Sequence, residues 1–97
     1  MKPEISIVIP LYNKARYIRR TIDSVLCQTF RNFECIIIDS STDESPELVR
    51  QYDDPRIVLV PYEKSTAARA RNQGVRIAQS DLIAFLDADD EWQPDHL

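Results

Sequence analysis

Four short apolar runs, set too far apart to pair as hairpins, constrain this chain more than any other feature. They are Ile5-Ser6-Ile7-Val8-Ile9, residues 33–38, Ile57-Val58-Leu59-Val60 and residues 82–86. All are rich in β-branched residues, and none alternates cleanly between apolar and polar positions. Strands that bury one face alternate; strands covered by helices on both faces do not. Every connection between the runs carries a helical pattern. Strand and helix in alternation build a parallel sheet with right-handed crossovers. The expected fold is α/β, a three-layer, Rossmann-like parallel sheet with helices on both faces. No repeat, low-complexity tract or Gly/Ser linker interrupts the pattern. Residues 1–97 read as one domain, enough for one modest core.

The helices have recognisable starts. Asn13 is a good N-cap for a first helix carrying Ile18, Ile22, Val25, Leu26 and Thr29 on one face. Ser45 suits the N-cap of a second, with Pro46 at its first position and Leu48, Val49 and Tyr52 facing inward. A third begins near Ser65, and its stripe of Ala67, Ala70, Gly74 and Ala78 allows close approach to a sheet.

The fourth run, buried on both faces by this reading, ends in chemistry. Phe85-Leu86-Asp87-Ala88-Asp89-Asp90-Glu91-Trp92 places three aspartates and a glutamate within five residues. Carboxylates this close raise one another's pKa unless a cation neutralises them. Hard oxygen ligands suit Mg²⁺ or Mn²⁺ better than zinc. A solvated acidic loop capping the next helix explains the same residues without a ligand, and the cluster alone does not separate the two readings.

Open parallel sheets bind ligands beyond the carboxyl ends of their strands. The segments there are Pro10-Leu11-Tyr12-Asn13, Asp39-Ser40-Ser41-Thr42-Asp43, Pro61-Tyr62-Glu63-Lys64 and the aspartate cluster. Aromatic walls and carboxylates meeting a metal suit a nucleotide diphosphate. The chain has one glycine, Gly74, so neither a G-x-G-x-x-G turn nor a P-loop can cradle phosphates. Charge neutralisation must come from a cation, helped by a residue such as Arg71. That arginine shares a helical face with Ala67, Gly74 and Ala78 and is expected to point toward the sheet. A buried guanidinium needs an anionic partner, here phosphate, a carboxylate of the cluster, or each in turn.

Composition removes other classes. A net charge of −4, with no basic cluster, argues against a nucleic-acid surface. Cys27 and Cys35 lack metal-ligand spacing and read as buried, reduced thiols of a cytoplasmic protein. No signal-peptide core or membrane-length run is present. The one histidine, His96, has no nucleophile partner, which disfavours a Ser/His or Cys/His hydrolase.

Four blocks together carry a resemblance: Ile7-Val8-Ile9-Pro10-Leu11-Tyr12-Asn13, Ser24-Val25-Leu26-Cys27-Gln28-Thr29-Phe30, Ala70-Arg71-Asn72-Gln73-Gly74, and Phe85 through Trp92 with Pro94-Asp95. In this order and approximate spacing the chain resembles family-2 glycosyltransferases over essentially its whole length. The resemblance implies a partial GT-A fold with strand order 3-2-1-4. It implies the donor-binding part of an inverting enzyme that moves a sugar from a UDP-sugar, or a related donor, to an acceptor hydroxyl. By the same resemblance Pro10, Leu11 and Tyr12 line the base pocket and Asp39 accepts a hydrogen bond from the base. Asp87 and Asp89 form the Asp-X-Asp, Asp89 as direct ligand of Mn²⁺ or Mg²⁺ and Asp87 nearer the ribose or sugar. Arg71 assists at the diphosphate. Asp90 binds through water or caps the next helix.

Two departures from the family stand out. After the second strand the family usually shows two acidic or amide residues and a glycine, where this chain has Asp39-Ser40-Ser41-Thr42-Asp43. The family's acceptor half and catalytic base are expected beyond Leu97, so these 97 residues are expected to be inactive alone. The edge left by the fourth strand then invites self-association. The acceptor is not specified, and the expected location is cytoplasmic, extending for a full-length protein to the inner face of a membrane.

Two rivals fit less well and a third stays open. A phosphoacceptor receiver needs an acidic pair after the first strand, where Pro10-Leu11-Tyr12-Asn13 stands. Sugar-nucleotide pyrophosphorylases favour a glycine-rich first loop. A non-catalytic nucleotide-binding or assembly module stays open.

Overall fold

The structure is a computed structural model and describes residues 2–97. Strands β1 (Ile5–Leu11), β2 (Phe33–Asp39), β3 (Ile57–Pro61) and β4 (Ile83–Phe85) alternate with helices α1 (Ile18–Leu26), α2 (Ser45–Arg50) and α3 (Ala67–Ile77). The strands are all parallel in the order β3-β2-β1-β4, which agrees with the expected topology. Leu11, Asp39 and Pro61 lie in register at the carboxyl ends. Everything that follows these strands emerges on one rim of the sheet.

Side-chain period along the strands divides the core in two. Ile7, Ile9 and Leu11 of β1 and Cys35 and Ile37 of β2 meet Ile18, Ile22 and Val25 of α1 and Val49 of α2. Ile36 and Ile38 face the other way, onto Ala70 of α3. Burial pushes the Cys35 thiol up to about 12, against the opposing field of Arg56, so it packs as a small apolar group.

Gly74 sets how closely α3 approaches the sheet. A Cβ there would lie 2.4 Å from Cγ1 of Val8, and Val8 has no exposed surface. Only a residue without a side chain lets the helix rest at this height.

Coverage on both faces holds for the two central strands and fails for the edges. Every residue of β2 is buried, whereas β3 and β4 are partly exposed, Phe85 to 49%. The cause is geometric: α3 lies over β1 and β2, and the flanks of the sheet extend past it. Leu82, 61% exposed, falls outside β4, although its carbonyl still accepts the Ser6 amide at 2.9 Å.

Several local expectations also give way. Asn13 does not cap α1, which starts at Ile18 after a turn in which Tyr17 and Ile18 donate to the Lys14 carbonyl. Instead Asn13 takes a left-handed φ of 50°. Its Oδ1 accepts the amides of Thr42 and Asp43 at 2.8 and 3.2 Å, tying two loops together. Ser45 is the first residue of α2 rather than its cap; its amide donates to Oδ1 of Asp43 and its hydroxyl accepts the Lys14 amide. Slight burial would raise the Asp43 pKa, but the hydrogen bonds from Ser45 outweigh it and hold the carboxyl below its usual range. Cys27 is exposed, because it is the C-cap of α1, one residue beyond the half-buried Leu26. Thr29 lies outside α1, and its amide donates to the Pro94 carbonyl at 2.8 Å.

Candidate functional site

Three of the four strand ends contribute to one cleft of about 340 Å³. Pro10 and Leu11 end β1 and Tyr12 follows it, Ser40 follows β2, and Asp87, Ala88 and Asp89 follow β4. The N-terminus of α3 closes a further wall with Ser65, Thr66 and Ala67. Thr66 caps that helix by accepting the Arg69 amide at 3.2 Å. The first-turn amides of a helix favour an anion beside them. Glu63 and Lys64 after β3 do not line the cleft.

The acidic turn is built from beneath. Leu86 and Ala88 are buried while Asp87 and Asp89 are exposed, so the small residue between the aspartates anchors them. The turn closes through the Asp90 amide donating to the Asp87 carbonyl at 3.1 Å. Helix α1 holds it from below: the Thr21 hydroxyl lies 2.9 Å from the Ala88 carbonyl and 2.5 Å from that of Asp90. Arg20 donates to the Asp89 carbonyl at 3.1 Å. Farther on, the Ser24 hydroxyl accepts the Trp92 amide, and the Gln28 side chain donates to the Gln93 carbonyl and accepts the Leu97 amide. Thr21 and Gln28 are almost fully buried. In sequence Ser24 and Gln28 stand only as members of a family block and Thr21 not at all, so their anchoring role was missed; buried polar residues four or seven apart beside an apolar stripe are the available signal.

Two ion pairs cross the site. Arg71 Nη2 lies 3.1 Å from Asp87 Oδ1, and Lys14 Nζ lies 3.4 Å from Asp89 Oδ2. Arg71 is half-exposed rather than buried, with 37% of its side chain accessible, because the sheet edge beside it is uncovered. Its partner is a carboxylate of the cluster, one of the two expected alternatives. Lys14 was not singled out by the sequence reading; standing one residue past Asn13, it carried no signal beyond a position after β1. Asp39 is the site residue that the structure sets apart. It is buried, its Oδ1 accepts the Ser41 amide at 3.0 Å, and its neighbour Ser40, not Asp39 itself, lines the cleft. Asp43, at the end of the same segment, accepts the Ser45 amide at the start of α2.

Among the described residues no group of three or more His, Cys, Asp or Glu side chains could enclose a metal ion. Two half-exposed carboxylates on one turn remain. That donor set fits Mg²⁺ or Mn²⁺ held by one or two carboxylates and completed by phosphate oxygens and water; it does not fit an all-protein cage.

Comparison with known proteins decides the family. The model of the family described as "Glycosyl transferase family 2" matches residues 6–97. The chain belongs to glycosyltransferase family 2. It is 44% identical over 91 residues to the UDP-Glc:α-D-GlcNAc-diphosphoundecaprenol β-1,3-glucosyltransferase of Escherichia coli, covering 91% of this chain and 36% of that protein. Staphylococcus aureus TarS in complex with UDP-GlcNAc superposes with a TM-score of 0.81 at 26% identity, over 94% of this chain and 28% of TarS. The Pyrobaculum calidifontis mannosyltransferase in complex with GDP-Man and Mn²⁺ gives 0.85 at 30% identity, over 95% and 29%. These GT-A neighbours confirm the fold expected of a family-2 chain. This chain spans about a third of the length of each protein. No helix among the described residues is long and apolar enough to cross a membrane.

Proposed function

We propose that residues 1–97 form the nucleotide-diphospho-sugar-binding half of an inverting glycosyltransferase, with a UDP-sugar as donor. The observation that carries this reading is the cleft at the carboxyl rim, where the Asp87-Ala88-Asp89 turn faces the segment after β1 and the N-terminus of α3. Pro10, Leu11 and Tyr12 give the base an apolar and aromatic wall. Asp39, just outside the cleft lining at the end of β2, would reach a base N–H with its other carboxylate oxygen, Oδ2. Asp89 would hold Mn²⁺ or Mg²⁺, with Asp87 beside it toward the ribose or sugar. Held by these residues, such an ion would supply charge neutralisation for the departing diphosphate. Arg71 orients Asp87 and adds positive charge at the same rim. TarS was solved with UDP-GlcNAc and the mannosyltransferase with GDP-Man and Mn²⁺, which supports both donor class and ion.

The acceptor half and the general base that deprotonates its hydroxyl belong, in this reading, to sequence outside these residues. Acceptor positioning supplies much of the rate in a bimolecular transfer, so this half alone binds donor without transferring sugar. Calorimetric titration with UDP tests the assignment. Binding should require Mn²⁺ or Mg²⁺ and fall at least about tenfold in Asp89→Asn, the loss of one charged ligand being worth over 1.4 kcal/mol. Equal UDP affinity with and without chelator would overturn it.

A further inference from the structure

Lys14 sits where a metal-binding carboxylate would have to be released. Its ammonium lies 3.4 Å from Asp89 Oδ2, and both side chains are close to half-exposed. The backbone beneath it is fixed: the Lys14 amide donates to the Ser45 hydroxyl, and its carbonyl accepts the amides of Tyr17 and Ile18. The stem is therefore rooted while the charged tip of a side chain 42% exposed reaches into the cleft it lines. Among the described residues there is no cage of three ligands, so an ion entering alone meets two carboxylates already paired with Lys14 and Arg71.

We infer that Lys14 is an exchangeable counter-ion that makes metal and nucleoside diphosphate bind cooperatively. The inference rests on the proposed function and deepens it. A diphosphate carries more negative charge than a carboxylate and draws the ammonium off Asp89. The freed carboxylate then takes the divalent ion, whose remaining positions the phosphate oxygens fill. Without the diphosphate, Lys14 competes with the ion for Asp89 and repels it. Lys14 therefore has opposite effects on the two binding events: it weakens metal alone and strengthens metal with nucleotide. A residue that merely contacted phosphate would leave metal-alone affinity unchanged.

Coupling between two ligands is a measurable factor, equal in both directions. The experiment measures Mn²⁺ affinity from the electron paramagnetic resonance of free Mn²⁺, with and without saturating UDP, in the wild-type chain, Lys14→Met, Lys14→Arg and Asp89→Asn. Half-exposed ion pairs are weak, so Lys14→Met is expected to bind Mn²⁺ alone about 2–5-fold more tightly. Its coupling factor with UDP should fall about fivefold or more, and Lys14→Arg should keep most of the coupling. Asp89→Asn should lose Mn²⁺ binding in either condition. Lys14→Met that leaves metal-alone affinity unchanged, or weakens both measurements equally, overturns the exchange while the donor-site reading stands. A wild-type chain that binds no Mn²⁺ even with UDP overturns both. Near-ultraviolet circular dichroism confirms that each variant is folded.

Discussion

Each end of the sheet gathers a cluster of polar side chains, and the two are built on opposite terms. At the amino end Ser6 donates to Oε2 of Glu34 at 2.6 Å, and the Gln79 amide donates to the same oxygen at 2.7 Å. The Ser80 amide donates to the Ser6 hydroxyl, and the Ser80 hydroxyl donates to the Glu4 carbonyl and accepts the Leu82 amide. Ser6, Glu34 and Ser80 are all buried. Water is excluded, the groups satisfy one another, and the end of α3 is stapled to β1 and β2. At the carboxyl end Asp87, Asp89, Lys14 and Arg71 are paired only by half-exposed contacts. A satisfied buried network holds structure together; charges paired loosely at a cleft stay available for exchange. The same strands position both clusters, and burial separates a joint from a site.

Stability measurements can break that contrast. Glu34→Ala should produce the largest effect, about 2–3 kcal/mol by urea unfolding, because it leaves the Ser6 hydroxyl and Gln79 amide without a buried acceptor. Asp89→Asn should change stability by no more than about 0.5 kcal/mol. Equal losses in the two variants would erase the distinction between the two ends.

Gly74 sits between the ends on α3, so lifting the helix should disturb both. Gly74→Ala forces a methyl group against Val8, costing about 1–3 kcal/mol of overpacking and regaining about 1 kcal/mol of helix propensity. A net loss of up to about 2 kcal/mol is expected, with a partly recovered, smaller loss when Gly74→Ala is made in the Val8→Ala background. Absence of any recovery would place the strain elsewhere.

A second amino-end contact carries a smaller effect than Glu34. Arg56 donates to both carboxylate oxygens of Asp54, at 3.1 and 2.8 Å, and its guanidinium lies 4.5 Å from the centroid of the Phe33 ring. The Arg56 hydrogen bonds hold the Asp54 carboxyl below its usual range against partial burial, and they raise Arg56 in turn. A depressed folded-state pKa contributes stability above the unfolded value, near 4, and loses it as pH falls through the folded value. Asp54→Asn should therefore cost about 0.5–1 kcal/mol at neutral pH and nothing in strong acid. Parallel stability curves for the two proteins from neutral to strong acid would remove this contribution.

How far the chain could be read before folding depended on whether a property was local. The runs of Ile, Val and Phe predicted the four strands, and their lack of alternation predicted a sheet covered on both faces. The same runs did not show which strands would lie at the edges, since Phe85 and Ile37 look alike in sequence. Edge exposure follows from the reach of α3, a matter of helix placement. Polar positions were harder still. Asn13 and Ser45 have the chemistry of N-caps, yet contacts about 30 residues away recruited both to bind loops. Asp39 lies at the carboxyl end of β2, but its carboxylate accepts the Ser41 amide of its own loop. Lys14 carried no local signal at all.

By itself, then, the sequence determined the α/β order, the parallel topology implied by its motif blocks, the acidic turn and the need for Gly74. Each depends on periodicity, spacing or the size of one residue. Tertiary structure alone decided that Lys14 meets Asp89 and Arg71 meets Asp87, that Thr21 and Gln28 anchor the turn, and that Glu34 is a buried joint. Those outcomes depend on distances between segments far apart in the chain. Such distances exist only after the core has set the helices on the sheet.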